Sequence, residues 1–142
     1  MAKKTKTPAN EPVVFDYRTI ETIEDAFKRK EIPFQSVKEF EEFLNESSIP
    51  ERFREPLLAV YQLFVGYEAV NDDWKADFTK NDLKYFPWAR VNSSGSGFGF
   101  SYSYCGCGNT RTDVGSRLCA KESNRAKHVF EKFNKLFVKF WL

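Results

Sequence analysis

SGSGFGFSYSYCGCGNTRTDVGSRLC, residues 94–119, is where the chain changes period. Phe98, Phe100, Tyr102 and Tyr104 fall on every second position, and alternate side chains of an extended strand share one face. Gly99, Ser101, Ser103 and Cys105 then share the other. Upstream, KYFPWARV (84–91) reads as a preceding strand, with Pro87 confining it to an edge or a bulge. Ser93 to Gly97 has turn chemistry, and Gly106 to Gly115 reads as a loop. SRLCA (116–120) reads as a third strand. The stretch predicts a three-stranded antiparallel meander.

Three short strands need a cover. The last twenty residues place Ala126, Val129, Phe130, Phe133, Leu136, Phe137 and Phe140 at helical spacing, so one helix is expected to lie on the aromatic face of the hairpin. That arrangement predicts Trp88, Phe100, Leu118 and Phe133 close together. The alternative is an RNA-stacking sheet, which would expose its aromatics. It would leave the Phe-rich helix without a partner, although burying each Phe contributes roughly 1.5–3 kcal/mol.

Toward the amino end the period is helical. Thr22 with Asp25 opens a short helix to about Lys30, ended by Pro33. Ser36 with Glu39 has the spacing of a capping box before a helix bearing Val37, Phe40, Phe43 and Leu44 on one face. Ser48 with Glu51 repeats the pattern before a longer helix to about Asn71, marked by Phe53, Leu57, Tyr61, Phe64, Val65 and Glu68. Pro56 predicts a kink there or a fresh start. NDDWKADFTKND (71–82) reads as a polar loop anchored by buried Trp74 and Phe78. Residues 1–12 carry little apolar content and two prolines, which predicts a disordered basic arm. Residues 13–142 are expected to form a single α+β domain, with helices first, then the meander, then the covering helix.

A chain of 142 residues with 15 Phe can build a core of its own. The amino end lacks the apolar segment of a secretory signal. The longest apolar run, LLAVYQLFVGYEAV (57–70), carries Gln62 and Glu68 and falls short of the roughly 20 residues that span a bilayer. Three cysteines, an odd number, fit a reduced intracellular chain. A soluble protein of the host cytoplasm or of a virion, without membrane contact, is expected. The net charge of +2 conceals an asymmetry: residues 11–51 hold eleven acids against five bases, and residues 111–142 eight bases against three acids. The two faces either attract each other and solvate their helices, or the basic end docks an acidic partner.

Chemistry-bearing motifs are sparse. Cys105, Cys107, Cys119 and His128 could formally bind zinc, but zinc knuckles space their cysteines C-x2-C and here the spacing is C-x-C. Small thiols in a hairpin loop are the simpler reading. A catalytic thiol would need a base in reach, and His128 is the sole imidazole. Phosphate-loop, metalloprotease and nucleophile-elbow signatures are absent. Asp72, Asp73 and Asp77 lack calcium-loop spacing. The sequence predicts no catalytic residue, metal or cofactor.

IPERFREPLLAVYQLFVGYEAVNDDWKADF, YFPWARV, GFGFSYSYC and VGSRLCAKESNRAKHVFEKF together resemble a family of uncharacterised small proteins of gut Bacteroidales, their prophages and their phages. The shared pattern runs P-E-R, A-L-N-x-x-W-x-x-D-W, K-Y-Y-P-W-F, G-F-G-F-S and G-S-R-L-C-F-K-S, and covers roughly residues 36–141. Phe78 stands where the pattern has a second Trp, Ala120 where it has Phe, and Glu122 where it has a capping Ser, which moves the expected cap to Ser123. The resemblance implies a phage or mobile-element context and no particular activity. It also leaves Cys105 and Cys107 outside the recurrent motif. Together these readings predict a non-enzymatic protein acting through protein contacts, as a virion component or host-factor adaptor, with Trp141 as the candidate anchor. The alternative is a nucleic-acid-binding accessory protein using Lys3, Lys4, Lys6, Arg90, Arg117, Arg125 and Lys127. An enzyme inhibitor is a third option. The oligomeric state is left open.

Overall fold

Helix α1 (Ile23–Arg29) starts where the Thr22 hydroxyl accepts from the Asp25 amide and the Asp25 carboxylate accepts from the Thr22 amide. The computed structural model describes residues 14–94, 97–108 and 114–142, and for residues 91–94 and 97–105 only the backbone. The amino-terminal arm, Lys3, Lys4 and Lys6 lie outside the described residues, as do the facing of Phe98, Phe100, Tyr102 and Tyr104 and the Cys105 thiol.

Helix α2 (Gln35–Glu46) and helix α3 (Glu51–Asn71) begin without side-chain caps. The expected capping boxes at Ser36 and Ser48 are therefore corrected. The Ser36 hydroxyl instead pairs with the Tyr61 hydroxyl at 2.8 Å, tying α2 to α3. The turn between them is held by Arg54, whose Nε donates to the Ile49 carbonyl at 2.9 Å, and by Ser47, which donates to the Leu44 carbonyl at 2.7 Å. Pro56 sits inside α3, which continues through it. The proline lies early enough that the amide it lacks would have served only the Arg52 carbonyl, in the first turn.

The hairpin has two strands, not three. Strand β1 (Lys84–Ser94) pairs antiparallel with β2 (Gly97–Gly108). Ser116–Leu118 is a 3-10 turn, and only Ala120 reaches the sheet, through reciprocal bonds with Tyr85 at 2.7 and 3.0 Å. Gly115, at φ +74°, turns the chain into that 3-10 segment. The alternation in SRLCA thus comes from a tight turn followed by a single bridge. The register shifts between Trp88 and Ala89, so Ser103 is the extra residue of a bulge. Tyr85 faces Ala120, so by the two-residue alternation the amide missing at Pro87 faces the same outer edge, away from β2. On the opposite face Phe86 and Trp88 lie over Gly106, where a Cβ would stand 2.7 Å from the Phe86 ring.

The carboxy-terminal stripe is two helices, α4 (Ser123–Lys132) and α5 (Asn134–Trp141), which part at Phe133. The N-cap is Glu122, without a side-chain bond, not Ser123. The break lets one stripe face two directions: α4 packs on both strands, and α5 packs along α3. Phe133, at the joint, meets Gly66 of α3. Ala126, Val129, Phe130, Phe133 and Phe137 join Phe27, Leu63, Tyr67 and Val70 in one core cluster. Leu118 packs against that cluster, Trp88 is 47% exposed, and the Phe100 side chain of the expected group of four lies outside the described residues. Trp74 and Phe78 are half-buried rather than buried.

Three polar locks fix the seams. Asn71, buried at the end of α3, donates to the Cys119 carbonyl at 2.7 Å and accepts from the Lys121 amide at 3.1 Å. The buried Lys84 ammonium donates to the carbonyls of Lys80 and Asp82 at 2.7 and 2.8 Å and to the Asp82 carboxylate at 3.0 Å. A protonated amine of this kind tolerates burial because every proton has an acceptor. His128 on α4 bonds the Ile20 carbonyl through Nε2 at 2.8 Å and sits edge-on to Tyr17.

Candidate functional site

The apolar residues of α2 and α3 exceed what their contact can bury. Leu44 is fully enclosed, while Phe40 and Tyr61 meet edge to face at 5.4 Å between ring centroids. Phe43 stacks beside Phe40 at 6.3 Å but remains 60% exposed, and Leu57 across from it is 37% exposed. Between them runs an open groove of about 640 Å³, with Phe40, Phe43, Leu57, Val60, Tyr61 and Phe64 along it and Ser36 and Glu39 at the rim. Its two hydroxyls, Ser36 and Tyr61, are bonded to each other, so the floor offers little polar recognition. A contiguous apolar patch of this kind is what a protein contact covers.

The α2 rim of the groove bears one carboxylate, Glu39, which belongs to an acidic stripe along that helix. Helix α2 carries Glu39, Glu41, Glu42 and Glu46 against Lys38. None of these four carboxylates makes an ion pair with the described residues. Glu39, Glu42 and Glu46 follow i, i+3, i+7 spacing and so form one stripe.

A second concavity of about 310 Å³ lies at the far end of α3, among Phe64, Tyr67, Asn71, Trp74, Lys75 and Arg117. Several of its polar groups serve the fold: Asn71 holds backbone, Glu68 is 3.7 Å from Lys30, and the Arg117 guanidinium lies 5.9 Å over the Phe64 ring.

Of the residues singled out for nucleic-acid contact, the described ones, Arg90, Arg117, Arg125 and Lys127, do not form a common uncommitted surface. Arg90 is exposed on β1 and Arg117 on the 3-10 turn. Arg125 turns inward: its side chain is 13% exposed, donates to the Val70 carbonyl, stands 3.6 Å from Glu122 and lies 4.8 Å over the Tyr17 ring. Lys127 pairs with Glu131 one turn on, at 3.6 Å. Trp141 rests on Phe137 and Phe130, with centroids at 4.9 and 6.2 Å, and exposes 38% of its surface. It is therefore partly a core residue.

Cys107 is exposed, while Cys119 is buried and donates to the Gly115 carbonyl at 3.1 Å. Asp72 pairs with Arg29 at 2.7 Å, and Asp77 accepts from the amide and hydroxyl of Thr79. Among the described residues no group of three or more His, Cys, Asp and Glu could hold a metal ion. No helix of the described residues is long and apolar enough to cross a membrane. The perturbed carboxyls are structural too. The Thr22 hydroxyl holds Asp25 below the ordinary carboxyl range, the Arg18 guanidinium does so for Asp16, and the Lys84 ammonium does so for Asp82.

The groove escaped sequence reading because Phe43 fits the buried face of α2 by spacing. The available signal was surplus: Phe40, Phe43 and Leu44 on α2 together face Phe53, Leu57, Tyr61 and Phe64 on α3, more than one helix contact can enclose. Asn71 was likewise legible only as a polar residue ending an apolar helix. The chain matches no protein-family model, no curated protein and no solved structure.

Proposed function

We propose that the chain is a non-enzymatic protein of phage or prophage origin that acts through protein–protein contacts, as a virion component or host-factor adaptor. The groove between α2 and α3 carries the contact half of this reading. Covering the exposed part of Phe43 alone, on the order of 100 Å², is worth roughly 2–3 kcal/mol before ordering costs. Leu57 and Phe64 beside it make the patch an anchor site of the kind that dominates interfaces. The phage half rests on the sequence pattern shared with the Bacteroidales family. Trp141 is the weaker anchor, since Phe130 and Phe137 already hold its ring. The nucleic-acid reading has less support, because Arg125 and Lys127 have intramolecular partners.

Photo-crosslinking in the native bacterial host tests the reading. Benzoylphenylalanine in place of Phe43 is expected to give one discrete protein adduct, lost on adding Leu57→Ser. The same probe at Trp141 is expected to give none. A nucleic-acid adduct, or no protein adduct at position 43, would defeat it.

A further inference from the structure

We infer that the α2–α3 groove receives a short basic amphipathic helix from another protein. The inference rests on the protein-contact reading of the groove and adds the chemistry of its occupant. Length is the first argument. The groove runs from Ser36 to Phe43 on one wall and from Leu57 to Phe64 on the other. Seven residues of helix rise about 10.5 Å, the span of three apolar anchors at i, i+4 and i+7 on a partner helix.

Backbone chemistry is the second. The Ser36 and Tyr61 hydroxyls are engaged with each other, and the rest of the floor is apolar. An extended peptide lying there would bury unpaired amides and carbonyls, whereas a helix satisfies its own. Charge is the third. Glu39 stands at the rim and Glu42 and Glu46 continue its stripe along α2, none of them in an ion pair with the described residues, and α3 from Leu57 to Phe64 carries no charged residue. A partner helix with Lys or Arg flanking its apolar stripe complements those carboxylates and a neutral or acidic helix does not.

The occupant is foreign. Among the described residues the basic amphipathic helices are α4 and α5, and both have spent their apolar faces in the core. Gly66 and Glu55 of α3 meet Phe133 and Lys139 of that segment. At about 100° per residue these α3 positions lie on the side opposite Leu57, Val60, Tyr61 and Phe64.

The probe is a fluorescein-labelled 14-residue peptide with leucines at positions 4, 8 and 11 and alanine and lysine elsewhere. Anisotropy titration at low salt is expected to give a Kd on the order of 10–100 µM. Scrambling the leucines, or Phe43→Ser in the protein, is expected to weaken binding at least tenfold. A triple Glu39→Gln, Glu42→Gln, Glu46→Gln variant should weaken it about fivefold and flatten its salt dependence. Leu57→Ser serves as a second groove variant, and circular dichroism checks that each variant is folded. Equal binding by the scrambled peptide, or by a twin with glutamate for lysine, would overturn the inference. So would sedimentation showing that the groove mediates self-association. If the peptide fails while the position-43 protein adduct persists, the occupant is wrong and the contact reading stands. If both fail, both are wrong.

Discussion

The sign of the stability change in Gly66→Ala reports on the close approach of α3 to Phe133. In an unhindered helix, alanine is better than glycine by about 1 kcal/mol. Here a Cβ on Gly66 would stand 2.7 and 3.0 Å from two Phe133 ring carbons and 3.6 Å from the Ile23 Cδ1. Ordinary carbon contacts lie at about 3.5–4.0 Å, so the ring would have to withdraw by about 1 Å. Phe133 is 3% exposed and sits where α4 ends and α5 begins, so withdrawal disturbs both helices. Overpacking of this kind costs about 1–3 kcal/mol. The net expectation is a loss of about 0–2 kcal/mol where the unhindered helix would gain. Urea unfolding of Gly66→Ala, Phe133→Leu and the double variant, followed by circular dichroism, separates the terms. Phe133→Leu removes the ring edge and should let the introduced alanine recover its helical advantage, giving a coupling of at least about 1 kcal/mol. A Gly66→Ala protein stabilised by about 1 kcal/mol, or additivity within about 0.5 kcal/mol, would refute the close packing.

Lys84→Met should cost about 2–3 kcal/mol in the same assay, because it removes charge-assisted bonds to three oxygens of the Lys80–Asp82 loop; unchanged stability would mean that the loop is held otherwise. Asp16, Asp25 and Asp82 are depressed below the ordinary carboxyl value of 3.8. Their stabilisation is therefore fully present above that value and lost as pH falls through the lowered ones, so unfolding free energy should be level above about pH 5 and decline below about pH 4. A rise in stability on acidification, or an acid limb unchanged by Thr22→Ala, would contradict this origin.

Local patterns were the legible part of the fold. The Thr22–Asp25 cap, the apolar stripe from Ala126 to Phe140 and the pairing of KYFPWARV with FGFSYSYC all follow from nearest neighbours and helical or strand period, although β2 runs on to Gly108, into residues that read as loop. What escaped was decided across space. Ser36 has the spacing of a cap, but the Tyr61 hydroxyl outcompetes its own helix. SRLCA has the composition of a strand, but Gly115 starts a 3-10 turn and Asn71 takes the Cys119 carbonyl that a neighbouring strand would have used. The stripe of the last twenty residues is continuous in sequence, yet two surfaces claim it, and it parts at Phe133. At the groove the difficulty is the reverse. Phe43 satisfies every local criterion for burial, yet its contact with Phe40 leaves it 60% exposed beside α3.

Ile20 and His128 meet although 108 residues separate them, and Glu21 and Lys132 pair across 111. The core is thus closed by a segment near the far end of the sequence. During synthesis at roughly 5–20 residues per second, the first helices wait on the order of 5–20 s for the residues that cover them. Gly66 and Tyr67 of α3, which Phe133 and Phe137 cover, stay exposed through that interval, and the ordering of such distant contacts is slow in its own right. Until that segment emerges, the nascent chain presents apolar surface of the kind that makes partly folded chains prone to aggregate.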